Sequence, residues 1–174
     1  FYLIAMNKTR FVIIGCGTIA ERSAFQIEAY GKLVAVCDII EKRAQMLADQ
    51  CHVPYFLLID DLLAAGLAID VVVICTPNGL HAQHSILALN KGCHVLVEKP
   101  MAIVSQDCWL MIAAAERAGK QLFTVVQNRF NPPVMAVNNA LEANAFVKIS
   151  SVQLTGSWNR WNAFYETLWN DPVS

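Results

Sequence analysis

The chain has 174 residues, of which 56% are hydrophobic and 16% charged, and its formal net charge is −1. That length suits one domain with a piece of another, and the near-neutral balance offers no basic footprint for nucleic acid. No apolar run approaches the roughly 20 residues that a membrane-spanning helix needs, so neither nucleic acid nor membrane is an expected partner.

Residues 1–9 read as an N-terminal extension. Phe1-Tyr-Leu-Ile-Ala5 is too short for the core of a signal peptide and lacks a basic lead and a cleavage pattern. Met6 marks a candidate start, which would make the residues before it an upstream remnant. From 10 to 127, short apolar runs alternate with helix-like segments, the pattern of βαβ units and a parallel sheet. Strands are predicted at 10–15, 32–37, 70–75, 93–97 and 121–126. Each is a nearly continuous run of Val, Ile, Leu and Cys, as in strands covered on both faces. Helices are predicted at 18–30, 40–50, 79–90 and 105–118, with a shorter one at 60–66 after an extended piece around Pro54. The helix at 105–118 carries Asp107 in its first turn, Arg117 in its last and Gly119 as its C-cap.

Near residue 127 the rhythm changes. Gln127-Asn-Arg-Phe-Asn-Pro-Pro133 breaks the pattern, and a helix at 134–144 then leads into an alternating strand from Phe146 to Gly156. The expected fold class is therefore α/β: a doubly wound parallel sheet over 10–127, then 128–174 as the incomplete start of a C-terminal α/β domain. A lone strand cannot bury itself, so this tail must lie on the first domain, pair with another chain or be disordered.

The most informative stretch is Arg10-Phe-Val-Ile-Ile-Gly-Cys-Gly-Thr-Ile-Ala20. It reads as a buried strand, a glycine-marked turn and a helix. Gly15 and Gly17 let the backbone turn sharply and admit a bulky anion. Cys16, Thr18 and Ile19 complete the turn, whose helix N-terminus suits a pyrophosphate. Ala20 allows close packing of helix on strand. After the next strand comes Asp38, 21 residues beyond Gly17. That is where a dinucleotide-binding unit places the acid that bonds the adenosine ribose. A carboxylate there favours NAD over NADP, although Lys42 and Arg43 leave NADP open. Asp38 can also be read as the N-cap of the helix at 40–50.

Two further segments fall at carboxyl ends of strands, where open α/β sheets bind ligands. Cys75, Thr76, Pro77 and Asn78 are placed to line the cofactor cleft. His81 follows, reaching the cofactor or capping its helix; with His84 it shares a helical face, but no third ligand makes a metal site. In Val95-Leu-Val-Glu-Lys-Pro100 an apolar strand ends in an acid, a base and a proline. Lys99 could bond a substrate hydroxyl and help move its proton; the alternative is a solvated Glu98–Lys99 charge pair. The six cysteines have no metal-ligand spacing, and buried free thiols behave as small hydrophobes. A reduced, cytoplasmic setting follows.

Gly15-Cys-Gly-Thr-Ile-Ala20, Asp38, Cys75-Thr-Pro-Asn78 with His81, and Glu98-Lys-Pro100 together resemble the Gfo/Idh/MocA family of NAD(P)-dependent oxidoreductases. The likeness covers about residues 10–156. It implies a Rossmann domain followed by a C-terminal α/β domain, homo-oligomers of the full-length protein, and oxidation or reduction of a sugar or cyclitol carbon. It also implies that Lys99 reaches the active site and that Glu98 lies by the cofactor. Gln127–Pro133, with Trp158-Asn-Arg-Trp161, Phe164-Tyr165 and Trp169, is similar to a narrower branch acting on nucleotide-activated amino-sugar uronates. By that likeness Gln127, Asn128 and Arg129 line the meeting point of nicotinamide and substrate, Arg129 facing a carboxylate. Family enzymes carry an acid/base histidine in the second domain, whereas His52, His81, His84 and His94 all lie in the first. The alternatives are a non-catalytic NAD-binding module or inactive fragment, or a domain for another nucleotide-type ligand such as S-adenosylmethionine.

Overall fold

The computed structural model describes residues 8–146, 148–153 and 155–157. They divide into two compact units between Val125 and Val126, two residues ahead of the predicted boundary.

The first unit is built on a six-stranded parallel sheet: β1 (Arg10–Ile14), β2 (Lys32–Cys37), β3 (Tyr55–Phe56), β4 (Val71–Ile74), β5 (His94–Val97) and β6 (Leu122–Thr124). Their spatial order is β3-β2-β1-β4-β5-β6, so the chain reverses its direction of winding between β1 and β4. Five helices connect them: α1 (Thr18–Tyr30), α2 (Glu41–Cys51), α3 (Ile59–Ala64), α4 (His81–Asn90) and α5 (Ser105–Ala118). Every predicted strand and helix of this unit forms. β3 is the addition: two residues after Pro54 pair with Val36 and Cys37, too few to show a pattern in sequence.

Strand pleating sorts the side chains into two cores. Ile13, Val36 and Val73 pack with Ala20, Ala24 and Ile27 of α1 and Ala44, Leu47 and Ala48 of α2. Val12, Ile14, Val72, Ile74, Val95 and Val97 face the other way, onto Leu62 of α3, Ala88 and Leu89 of α4, and Met111 and Ala114 of α5. Fully burying an aliphatic side chain of this size contributes about 1.5–3 kcal/mol. Ala20 is fully buried beside Ile13, as its place after the turn predicts. α5 stops where Gly119 adopts a left-handed φ of 61°.

Among the described residues no helix is long and apolar enough to cross a membrane. The second unit opens with a 3₁₀ turn, Gln127–Phe130, and α6 (Pro132–Glu142), which begins two residues before its predicted start because Pro132 and Pro133 suit a helix's first turn. The predicted strand 146–156 is not formed by its described residues. An isolated strand leaves its backbone groups unpaired, and no partner strand stands among the described residues of this unit. The aromatic run Trp158–Trp169 lies outside the described residues.

Candidate cofactor and active site

Parallel ladders bring four strand ends level. Gly15 N–H donates to Cys37 O (2.8 Å), Cys75 N–H to Ile14 O (2.7 Å) and Glu98 N–H to Ile74 O (3.0 Å). Asp38, Gly15, Cys75 and Glu98 thereby form a row along the carboxyl edge of β2, β1, β4 and β5, at the point where the winding reverses. That is where open α/β sheets leave a crevice for a ligand.

Two glycines in this row have different reasons. Gly15 has φ +89°, and a Cβ there would lie 2.6 Å from the carbonyl carbon of Cys75. The fold itself requires glycine at 15. At Gly17 the conformation is ordinary (φ −83°), and an added Cβ would meet nothing within 4 Å. The fold does not require glycine there; a group approaching from outside would. The N–H groups of Gly17, Thr18 and Ile19 stand at the start of α1, where the helix offers them no acceptor. Open space, helix dipole and orphan donors together fit a pyrophosphate.

Asp38 closes one side of this space. Its Oδ2 accepts the Cys16 N–H at 2.7 Å and its Oδ1 the Ile40 N–H at 2.8 Å. It is not the N-cap of α2, a place taken by Ile40. The Ile40 bond is instead an Asx turn one step earlier, and it aims the carboxylate back at the glycine turn. Carboxylate oxygens hold about four lone-pair sites, so two bonds leave capacity for a ribose hydroxyl.

Cys16, Cys37 and Cys75 cluster behind the row. Burial pushes the three thiols up to about 12, with Asp38 adding to the shift at Cys16 and Cys37. They are neutral packing groups at pH 7, not nucleophiles. Ser23 Oγ lies 3.8 Å from Cys75 Sγ, a contact with no signal in the sequence.

The Cys75–Asn78 loop is held from α4. His84 Nδ1 lies 3.2 Å from Thr76 Oγ1, and burial, then the neighbouring His81, lower the pKa of His84 below its usual range. His81 corrects an expectation. Only 1% exposed, it has Nδ1 2.8 Å from Pro100 O and Nε2 2.8 Å from Thr76 O. Each ring nitrogen faces a main-chain carbonyl, so the ring turns neither nitrogen toward a cofactor, and the N-cap of α4 is Leu80. The described residues contain no cluster of three metal-ligating side chains.

Lys99 is exposed at the same edge, and its peptide bond to Pro100 is cis. No ion pair joins Glu98 to the Lys99 ammonium among the described residues; the Glu98 carboxylate accepts the Lys99 main-chain N–H at 3.2 Å. Gln127, Asn128 and Arg129 belong to the second unit's exposed 3₁₀ turn, where Asn131 N–H donates to Asn128 O at 3.2 Å.

The family model described as "Oxidoreductase family, NAD-binding Rossmann fold" (GFO_IDH_MocA) matches residues 9–126. D-glucoside 3-dehydrogenase of Escherichia coli is 37% identical over 129 residues, covering 71% of this chain and 36% of the relative. The NADP(+)-dependent scyllo-inositol 2-dehydrogenase IolU of Bacillus subtilis is 32% identical over 168 residues, covering 94% of this chain and 49% of the relative. Among solved structures, the WlbA dehydrogenase from Bordetella pertussis, in complex with NADH and UDP-GlcNAcA, superposes with a TM-score of 0.76 at 36% identity. That match covers 80% of this chain and 43% of WlbA. The chain therefore spans less than half the length of each of these three.

Proposed function

The chain belongs to the Gfo/Idh/MocA family of NAD-binding oxidoreductases, and from that premise we propose that it is the cofactor-binding part of an NAD-dependent sugar dehydrogenase. The observation that carries the reading is the open space at Gly17 with Asp38 fixed beside it. In this reading Gly15, Cys16, Gly17, Thr18 and Ile19 cradle the pyrophosphate, and Asp38 grips the adenosine ribose. Its negative charge disfavours a 2′-phosphate, which selects NAD. Cys75, Thr76, Pro77, Asn78 and Glu98 line the nicotinamide side of the cleft. Six free thiols fit a reducing, cytoplasmic setting.

When bound, NAD supplies the hydride acceptor, and the protein supplies orientation and electrostatics. Lys99 would hold the substrate oxygen and move its proton as the carbon is oxidised. The substrate class is a sugar carbinol, specifically a nucleotide-activated amino-sugar uronate, whose carboxylate suits the planar fork of Arg129. WlbA's ligand set supports that class, and the Gln127-Asn-Arg129 turn offers amide and guanidinium groups of the kind such a substrate needs.

Titrating the chain with NADH and with NADPH, read by nicotinamide fluorescence, tests the reading. The expected result is saturable binding, tighter for NADH. Absence of binding by both would remove it, and preference for NADPH would overturn the role of Asp38.

A further inference from the structure

His81 is a buried polar side chain at the carboxyl edge, only 1% exposed. It belongs to neither of the loops it touches. Thr76 follows β4 and Pro100 follows β5, yet their carbonyl oxygens both lie 2.8 Å from one imidazole, on opposite ring nitrogens. A carbonyl only accepts, so a ring nitrogen engages it only as N–H, and holding both carbonyls at once takes the doubly protonated ring. Thr76 is further secured through its hydroxyl by His84, one turn along α4, and Leu80 N–H donates to Pro77 O at 2.9 Å. Within α4, His81 and His84 thus both reach Thr76, and the Leu80 bond closes the 3₁₀ turn that leads into the helix. His81 extends that anchorage to the segment carrying Lys99.

We infer that His81 is a positioning residue, a buried clamp that fixes the distance between the Thr76–Asn78 loop and the Lys99–Pro100 turn. The inference rests on the proposed function, because those loops carry the groups assigned to cofactor and substrate. A clamp matters there because misplacing reacting groups by about 1 Å can cost on the order of 100-fold in rate. It acts through main-chain carbonyls, and touches neither ligand.

Two substitutions separate its two bonds. In His81→Asn the amide nitrogen stands about where Nδ1 stood and keeps a donor toward Pro100; in His81→Gln it stands about where Nε2 stood and keeps one toward Thr76. Amide NMR of the folded chain, with NADH titration, reads the result. His81→Gln is expected to shift the Lys99 and Met101 amides, leave Thr76 and Asn78 in place, and hold NADH affinity within about twofold. His81→Asn is expected to do the reverse and weaken NADH about tenfold, the worth of roughly one hydrogen bond. Movement of the same loop in both variants, or of neither loop, overturns the clamp.

If neither variant folds, the wild-type ring decides. Its N–H protons should exchange with solvent far more slowly than those of the exposed His52, and equal rates would refute the inference. Failure of the wild type to bind NADH would instead remove the proposed function, while the loop shifts would still report on the clamp.

Discussion

Each end of the sheet carries an aspartate that accepts a main-chain N–H, and the two are put to different use. At the amino edge, Asp70 takes the Arg10 N–H at 2.8 Å, its Nε at 2.9 Å and its Nη2 at 2.7 Å. A planar guanidinium cancels the carboxylate's charge in a bidentate pair. At the carboxyl edge, Asp38 takes two main-chain N–H groups, dipoles that hold it in place without cancelling its charge. One carboxylate ties strands together; the other remains able to interact with something arriving from outside. What separates them is the chemistry of the donors.

The contrast can be broken at several points. Gly15→Val should do the most damage, since it combines a left-handed φ with a Cβ against the Cys75 backbone. Strain and overpacking together should cost on the order of 4 kcal/mol in denaturant unfolding; a loss below half a kcal/mol would mean the turn relaxes freely. In a catalytically competent form of the protein, Lys99→Ala should lower turnover on the order of 100-fold while sparing NADH affinity. Unchanged turnover would remove Lys99 from the chemistry.

Asp38→Ala should weaken NADH by roughly 1.5–3 kcal/mol, the worth of hydrogen bonds to a charged group. Calorimetry giving equal affinities would assign Asp38 to the turn alone. Arg10→Met should have the smallest effect on denaturant unfolding, because the pair is partly exposed and solvent screens it. Its pH dependence has a definite sign. Hydrogen bonds from the Arg10 side chain and backbone lower Asp70 from 3.8 to about 2. The pair's contribution is therefore complete above about pH 4 and disappears as the pH falls toward 2. Asp70→Asn should flatten that part of the stability curve, and a curve identical to wild type would contradict the assignment.

The first unit was legible because its strands are apolar on both faces and its turns carry glycine in informative places. Asp38, Lys99 and the Cys75–Asn78 loop were legible because strand ends in a parallel sheet share one edge. The clamp at His81 was not, since it joins residues 5 and 19 positions away through carbonyl oxygens that any residue carries. The i, i+3 spacing of His81 and His84 pointed to one shared face, but the same spacing serves a metal pair or a loop anchor. The alternating run at 146–156 misled for a different reason: alternation records a preference for strand, and forming one also needs a neighbour to pair with.

The central claim is that the space at Gly17 receives a dinucleotide. Amide NMR of the chain titrated with NADH tests it most directly, beside a Gly17→Ala variant whose stability should stay within about 1 kcal/mol of wild type. The account predicts NADH-dependent shifts concentrated at Gly15–Ile19 and Asp38 that vanish in the variant. Shifts that survive Gly17→Ala unchanged, or that cluster around Asp70 at the opposite edge, would contradict it.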